Sequence, residues 1–142
     1  LDAGRDLNVV STTHSDVKQA GKSDFSRTNL DRVASLYVTN SDGILLAAAG
    51  RDLTLNAAQV INSGKDGQTA LVAGRDVSLG TVAIAEQENN VLDANNYLKQ
   101  GYEREVGTSI TTAGDVRVQA GRDLTALAAT VTSEQGAVVA VA

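Results

Sequence analysis

The stretch Thr69–Leu79 reads T-A-L-V-A-G-R-D-V-S-L, and its pattern decides the fold. Its centre, A-G-R-D-V at Ala73–Val77, is matched by A-G-R-D-L at Ala3–Leu7, Ala49–Leu53 and Ala120–Leu124. The glycines Gly4, Gly50, Gly74 and Gly121 lie 46, 24 and 47 residues apart, so the chain holds two copies of a unit of 70 to 71 residues. A degenerate copy, A-G-D-V-R-V, starts at Ala113. A motif that returns at fixed spacing signals a repeat architecture.

The flanks of each glycine alternate. The third and fifth positions after it are Leu7 and Val9, Leu53 and Leu55, Val77 and Leu79, and Leu124 and Ala126. Before it stand Ala47 and Ala49, Leu71 and Ala73, and Val118 and Ala120. Alternation of period two predicts strands with one buried face. A further strand is expected at Ala58–Asn62, with its match at Ala129–Ser133. The 24 residues from Gly50 to Gly74 thus read as three short strands joined by tight turns.

A recurrence near 24 residues suits one coil of a parallel β-helix, in which no coil buries its inner face alone. Stacking predicts Leu53 over Val77 and Leu55 over Leu79. The expected fold class is therefore all-β, a right-handed parallel β-helix (solenoid). Composition agrees: 42% of the 142 residues are hydrophobic, 3% aromatic, and Pro, Cys, Met and Trp are absent. A narrow lumen takes Val, Leu, Ile and Ala and has little room for stacked large rings. At the corner, Gly suits a backbone with φ > 0. The Arg-Asp pair suits a corner tie, with Asp bonding the backbone and Arg pairing with Asp of the same or the next coil.

Against the plain 24-residue coil, the two long spacings carry extra sequence at about residues 15–35 and 86–107. These segments hold 14 of the 29 charged residues and three of the four aromatics, Phe25, Tyr97 and Tyr102. Each reads as an inserted arm or hairpin, with an additional coil as the alternative, since such charge density fits poorly into an apolar lumen. In the second, Val91, Leu92, Tyr97, Leu98 and Tyr102 are expected to form an apolar stripe on a short helix or hairpin. Tyr97 and Tyr102 are the candidate partner-binding residues, because exposed aromatics favour interfaces. The alternative is that this arm folds over the wall and shields it.

Several classes of function are disfavoured. Without Cys there is no thiolate metal site, and with His14 as the only histidine neither a His cluster nor a Ser-His-Asp triad can form. No phosphate-binding loop, dinucleotide fingerprint or Ca²⁺ loop occurs. No catalysis and no cofactor are expected. A β-helix enzyme acting on carbohydrate would need clustered carboxylates, and Asp42, Asp66 and Asp115 lie in separate turns. A net charge of −5 argues against nucleic acid as a partner.

The stretches A-G-R-D-L-T-L-N-A-A-Q-V from Ala49, T-A-L-V-A-G-R-D-V-S-L from Thr69 and A-G-D-V-R-V-Q-A-G-R-D-L-T-A-L-A-A from Ala113 resemble the haemagglutinin repeats of filamentous-haemagglutinin-type exoproteins. That family includes adhesins and contact-dependent growth-inhibition (CdiA-like) toxins of Gram-negative bacteria. The resemblance covers essentially the whole chain. It implies a right-handed parallel β-helix within a long filament, a secreted or cell-surface location, an outer-membrane transporter of the two-partner-secretion type as export partner, and a target-cell surface or receptor as ligand. The function it implies is a structural and adhesive stalk. The alternative is a toxin-translocation or receptor-engaging element. No binding residue is carried over, because the resemblance lies in structural repeats.

The chain starts two residues before an A-G-R-D turn and stops in A-V-V-A-V-A, and no secretion signal opens it. It is expected to be a single repeat segment, residues 1–142, of a longer array, with its export signal elsewhere and a tendency to associate end to end.

Overall fold

Short alternating runs separated by Gly, Asp and Ser leave no segment for a helix, and the fold is all-β. The computed structural model describes residues 1–142. The chain passes through three sheets in a fixed order and then repeats the circuit. The first circuit holds β1 (Asp2–Ala3), β2 (Leu7–Val10) and β5 (Ser35–Val38), with β3 (Thr12–Ala20) and β4 (Ser23–Arg32) between the last two. The second is β6 (Ile44–Ala49), β7 (Leu53–Asn56) and β8 (Gln59–Asn62). The third is β9 (Gln68–Ala73), β10 (Asp76–Gly80) and β13 (Ser109–Thr112), interrupted by β11 (Val82–Val91) and β12 (Tyr97–Val106). The fourth is β14 (Asp115–Ala120), β15 (Asp123–Ala126) and β16 (Thr130–Ser133), after which β17 (Val138–Val141) begins another.

Like strands of successive circuits pair in parallel. The orders are β1-β6-β9-β14-β17, β2-β7-β10-β15 and β5-β8-β13-β16. Register follows the repeat: Leu7, Leu53, Val77 and Leu124 form one ladder, and Val9, Leu55, Leu79 and Ala126 the next. Leu53 therefore does lie beside Val77, and Leu55 beside Leu79. The inward members make a single core in which Leu53, Leu55, Val60, Leu71 and Ile110 are fully buried. Burying one side chain of this size contributes about 1.5–3 kcal/mol.

The reason for the corner glycines differs from the expectation. They do not have positive φ; Gly21, in the β3–β4 turn, is the glycine that does, at 59°. Close approach sets them instead. A Cβ on Gly50 would run into the Gly4 carbonyl oxygen, one on Gly74 into that of Gly50, and one on Gly121 into that of Gly74. The left-handed corners are taken by alanines, Ala57 (φ 48°) and Ala128 (φ 47°), in the second and fourth circuits.

At the same place in the first and third circuits, the chain leaves as a hairpin. The hairpins span Thr12–Arg32 and Val82–Val106, starting earlier than the charged segments from which they were anticipated, and Ser35 belongs to β5. A buried hydroxyl anchors each root. Ser11 Oγ donates to the Ala57 carbonyl (2.7 Å) and accepts from the Ala34 N–H (2.9 Å), and Thr108 Oγ1 donates to the Leu55 carbonyl (2.7 Å).

Candidate interaction surface

Two features lie outside the core and carry charge: the row of Arg-Asp corners and the sheet formed by the hairpins.

At the corners, the arginines of the second, third and fourth circuits each reach the aspartate of the preceding circuit. Arg51 Nε donates to Asp6 Oδ1 (3.0 Å), Arg75 Nε to Asp52 Oδ1 (2.8 Å) and Arg122 Nε to Asp76 Oδ1 (2.9 Å), and in each pair Nη2 meets the other oxygen. Planar two-point contact of this kind is specific to guanidinium and carboxylate. Hydrogen bonds from Arg51 and Arg75 hold the Asp6 and Asp52 carboxyls below the usual range, and the guanidiniums are raised in return. The tie from Asp6 to backbone is long, with the Asp52 N–H donating to Asp6 Oδ1 at 3.4 Å, and it too crosses between circuits. Asp6, Asp52 and Asp76 are each held by an arginine of the following circuit, so the row acts as a lateral clamp.

The hairpins do what the sequence did not disclose: they join. β4 pairs antiparallel with β11 from Ala85↔Thr28 to Asn89↔Asp24, giving one sheet in the order β3-β4-β11-β12. Strand spacing accounts for this. A hairpin adds two strands, about 9.6 Å across, and two circuits rise by the same amount. One hairpin on every second circuit therefore fills a continuous side sheet without a gap. Across the seam, Arg27 Nε lies 3.4 Å from Glu86 Oε2, Asn89 Nδ2 donates to Asp24 Oδ2 (2.9 Å), and the Val91 N–H donates to Ser23 Oγ (3.0 Å).

Neither face of this sheet is covered along its outer strands: every residue of β3 is exposed, and so is every residue of β12 except Val106. Strand alternation puts Leu98, Gln100, Tyr102 and Arg104 on one face with Phe25, Arg27, Glu86 and Glu88. Tyr97, Lys99, Gly101 and Glu103 share the other with Asp24, Gln87 and Asn89. Tyr97 (63% exposed) and Tyr102 (52%) thus both face solvent, on opposite sides. The structure does not unite them, and the anticipated stripe is split, with Val91 beside Tyr97 and Leu98 beside Tyr102. Lys99 Nζ lies 5.9 Å from the Tyr97 ring centroid. On that face the missing side chain of Gly101 leaves a shallow depression lined by Asp24, Gln87, Asn89, Lys99 and Glu103. At the tip, Asp93 accepts from the Asn96 side chain (2.8 Å) and from the Asn95 and Asn96 N–H groups, which lowers its pKa.

No group of three His, Cys, Asp or Glu side chains converges on a point that could hold a metal ion. His14 is exposed, with Nε2 3.3 Å from Asp16 Oδ1. The chain contains no helix long and apolar enough to cross a membrane. Comparison with protein-family models, with curated proteins and with solved structures gave no match.

Proposed function

We propose that this chain is a structural, adhesive stalk segment of a large secreted exoprotein of the filamentous-haemagglutinin type. On this reading its three parallel sheets are the walls of a right-handed parallel β-helix. The exoprotein is an adhesin or a contact-dependent growth-inhibition toxin, passed through an outer-membrane two-partner-secretion transporter to the bacterial surface. The reading assigns the chain no catalysis, no cofactor and no nucleic-acid partner.

The observation that supports it best is the clamp Arg51–Asp6, Arg75–Asp52, Arg122–Asp76 running beside ladders of identical register. A row of equal corners that tie each circuit to the one before gives length and stiffness, which is what a stalk supplies. A second reading, a receptor-engaging or translocating element of such a toxin, draws on the uncovered side sheet and its exposed Tyr97 and Tyr102.

One experiment separates the two. Residues 86–107 are deleted from the secreted exoprotein, and cell binding, toxin delivery and filament length are measured. Unchanged binding and delivery support the stalk. Loss of either at unchanged length supports the second reading.

A further inference from the structure

We infer that the seam between the two hairpins is a clasp that ties the first circuit to the third across the second, so that the three open as one unit. The clasp is independent of which of the two functions above the chain serves.

Topology is the first observation. In a stacked repeat each unit touches only its neighbours, so units can detach one at a time. The three walls keep to that rule, with every strand pairing only with strands of adjacent circuits. The β4–β11 pairing, from Ala85↔Thr28 to Asn89↔Asp24, breaks it, because β4 belongs to the first circuit and β11 to the third. For the first circuit to leave the second, this ladder must part as well as β1–β6, β2–β7 and β5–β8.

Burial is the second. Of the residues in β3, β4, β11 and β12, Ile84 alone is buried. The side sheet therefore adds almost nothing to the core, and its strands hold by backbone ladders and cross-strand pairs. Three such contacts cross the seam: Arg27 with Glu86, Asn89 with Asp24, and the Val91 N–H with Ser23 Oγ. What the sheet contributes is a bond between two circuits whose walls do not pair.

The roots are the third. The corner of the second circuit, Leu55–Ala57, is held from both sides. Ser11 of the first circuit donates from its N–H to the Asn56 carbonyl (3.0 Å) and from Oγ to the Ala57 carbonyl (2.7 Å). From the third circuit, Thr108 Oγ1 donates to the Leu55 carbonyl (2.7 Å), and the Gly80 carbonyl accepts from the Ala57 N–H (3.1 Å). Each hairpin root thus grips the corner that the seam bridges, and a closed seam keeps both grips in place.

Native-state hydrogen exchange on the 142-residue protein tests this, since it reads the opening of each segment separately. In the wild type, the slowest amides of β2 and β10 should report the same opening, with the same denaturant dependence. Glu86→Arg and Asn89→Asp set like charges against Arg27 and Asp24 across the seam. They spare the pairing within the second hairpin, where Glu86 faces Tyr102 and Asn89 faces Lys99. Together they should uncouple the two circuits, so that β2 opens about tenfold more often than β10. Adding Arg27→Glu and Asp24→Asn restores both seam pairs in exchanged form and should bring the two openings back together. The proposal is overturned if β2 and β10 open independently in the wild type. It is equally overturned if they still open together in the seam variant, whether or not both are shifted by a common factor. If the double variant does not fold, Asn89→Asp alone, with Lys99 still facing it, carries the same comparison with about a threefold separation.

Discussion

Arg75 hydrogen-bonds Asp52, 23 positions back, rather than its neighbour Asp76: its Nε donates to Asp52 Oδ1 at 2.8 Å and makes only a looser ion pair, 3.7 Å, with Asp76. Asp76 is left for Arg122. The A-G-R-D motif therefore encodes a contact between circuits, and its two charges serve different neighbours. Each pair is more than a quarter exposed and contributes little alone. A double-mutant cycle on Arg75→Ala and Asp52→Ala should give a small favourable coupling that shrinks as salt is raised from about 0.05 to about 1 M, since screening acts on exposed pairs.

Acid should weaken the same clamp. Asp6 and Asp52 have folded pKa values below their unfolded ones, owing first to the hydrogen bonds from Arg51 and Arg75. A depressed carboxyl contributes stability that is fully present above the unfolded value, about 3.9, and is lost as pH falls through the folded value. Urea midpoints are expected to hold from pH 7 to about 5 and to fall below about 4. In the Arg51→Ala/Arg75→Ala variant the fall should be shallower, and an equal fall would remove the clamp as its cause.

Asn62 is the buried polar residue with most to lose. Its Nδ2 donates to the Gly43 (2.8 Å) and Gln68 (3.2 Å) carbonyls, and its Oδ1 accepts from the Gly64 N–H (3.1 Å). Asn62→Ala leaves the buried Gly64 N–H without this partner, while the Gly43 carbonyl keeps the Gln68 N–H, and should cost about 1–3 kcal/mol, read from chemical denaturation.

The core and the side sheet should respond differently to truncation. Leu71 is fully buried, and Leu71→Ala is expected to cost about 2–5 kcal/mol. Leu92 at the hairpin tip is 84% exposed, and Leu92→Ala should change stability by less than about 0.5 kcal/mol. Comparable losses at the two sites would mean that the tip is covered in solution.

Ala128 is exposed and has φ 47°, a region that costs an L-residue about 1–2 kcal/mol. Ala128→Gly relieves that strain and pays the chain-entropy cost of glycine, about 0.5–1 kcal/mol, so it should raise the melting temperature slightly. Ala57→Gly should gain less, because Ala57 is buried and its methyl group fills the core.

Much of this was legible in the chain. Ladders such as Leu53–Val77 and Leu55–Leu79 follow from alternation and a fixed repeat, because a one-residue slip would turn every buried side chain outward. The two charged segments were recognisable as departures from the repeat. What could not be read was their pairing, since Arg27 and Glu86 are 59 positions apart and neither carries a mark naming the other. The reason for the corner glycines was also hidden, as steric pressure from another circuit leaves the same letter in the sequence as a positive φ.

The sequence by itself determined the all-β class, the period and the inward residues, because each rests on local alternation that repeats. Only the tertiary structure decided that two hairpins form one side sheet, that Tyr97 and Tyr102 face opposite ways, and that each arginine serves the circuit before its own. The second follows once the arm is a strand, in which residues five apart point to opposite faces; the first and third depend on the rise per circuit matching the spacing of paired strands, a distance that exists only once the circuits are stacked.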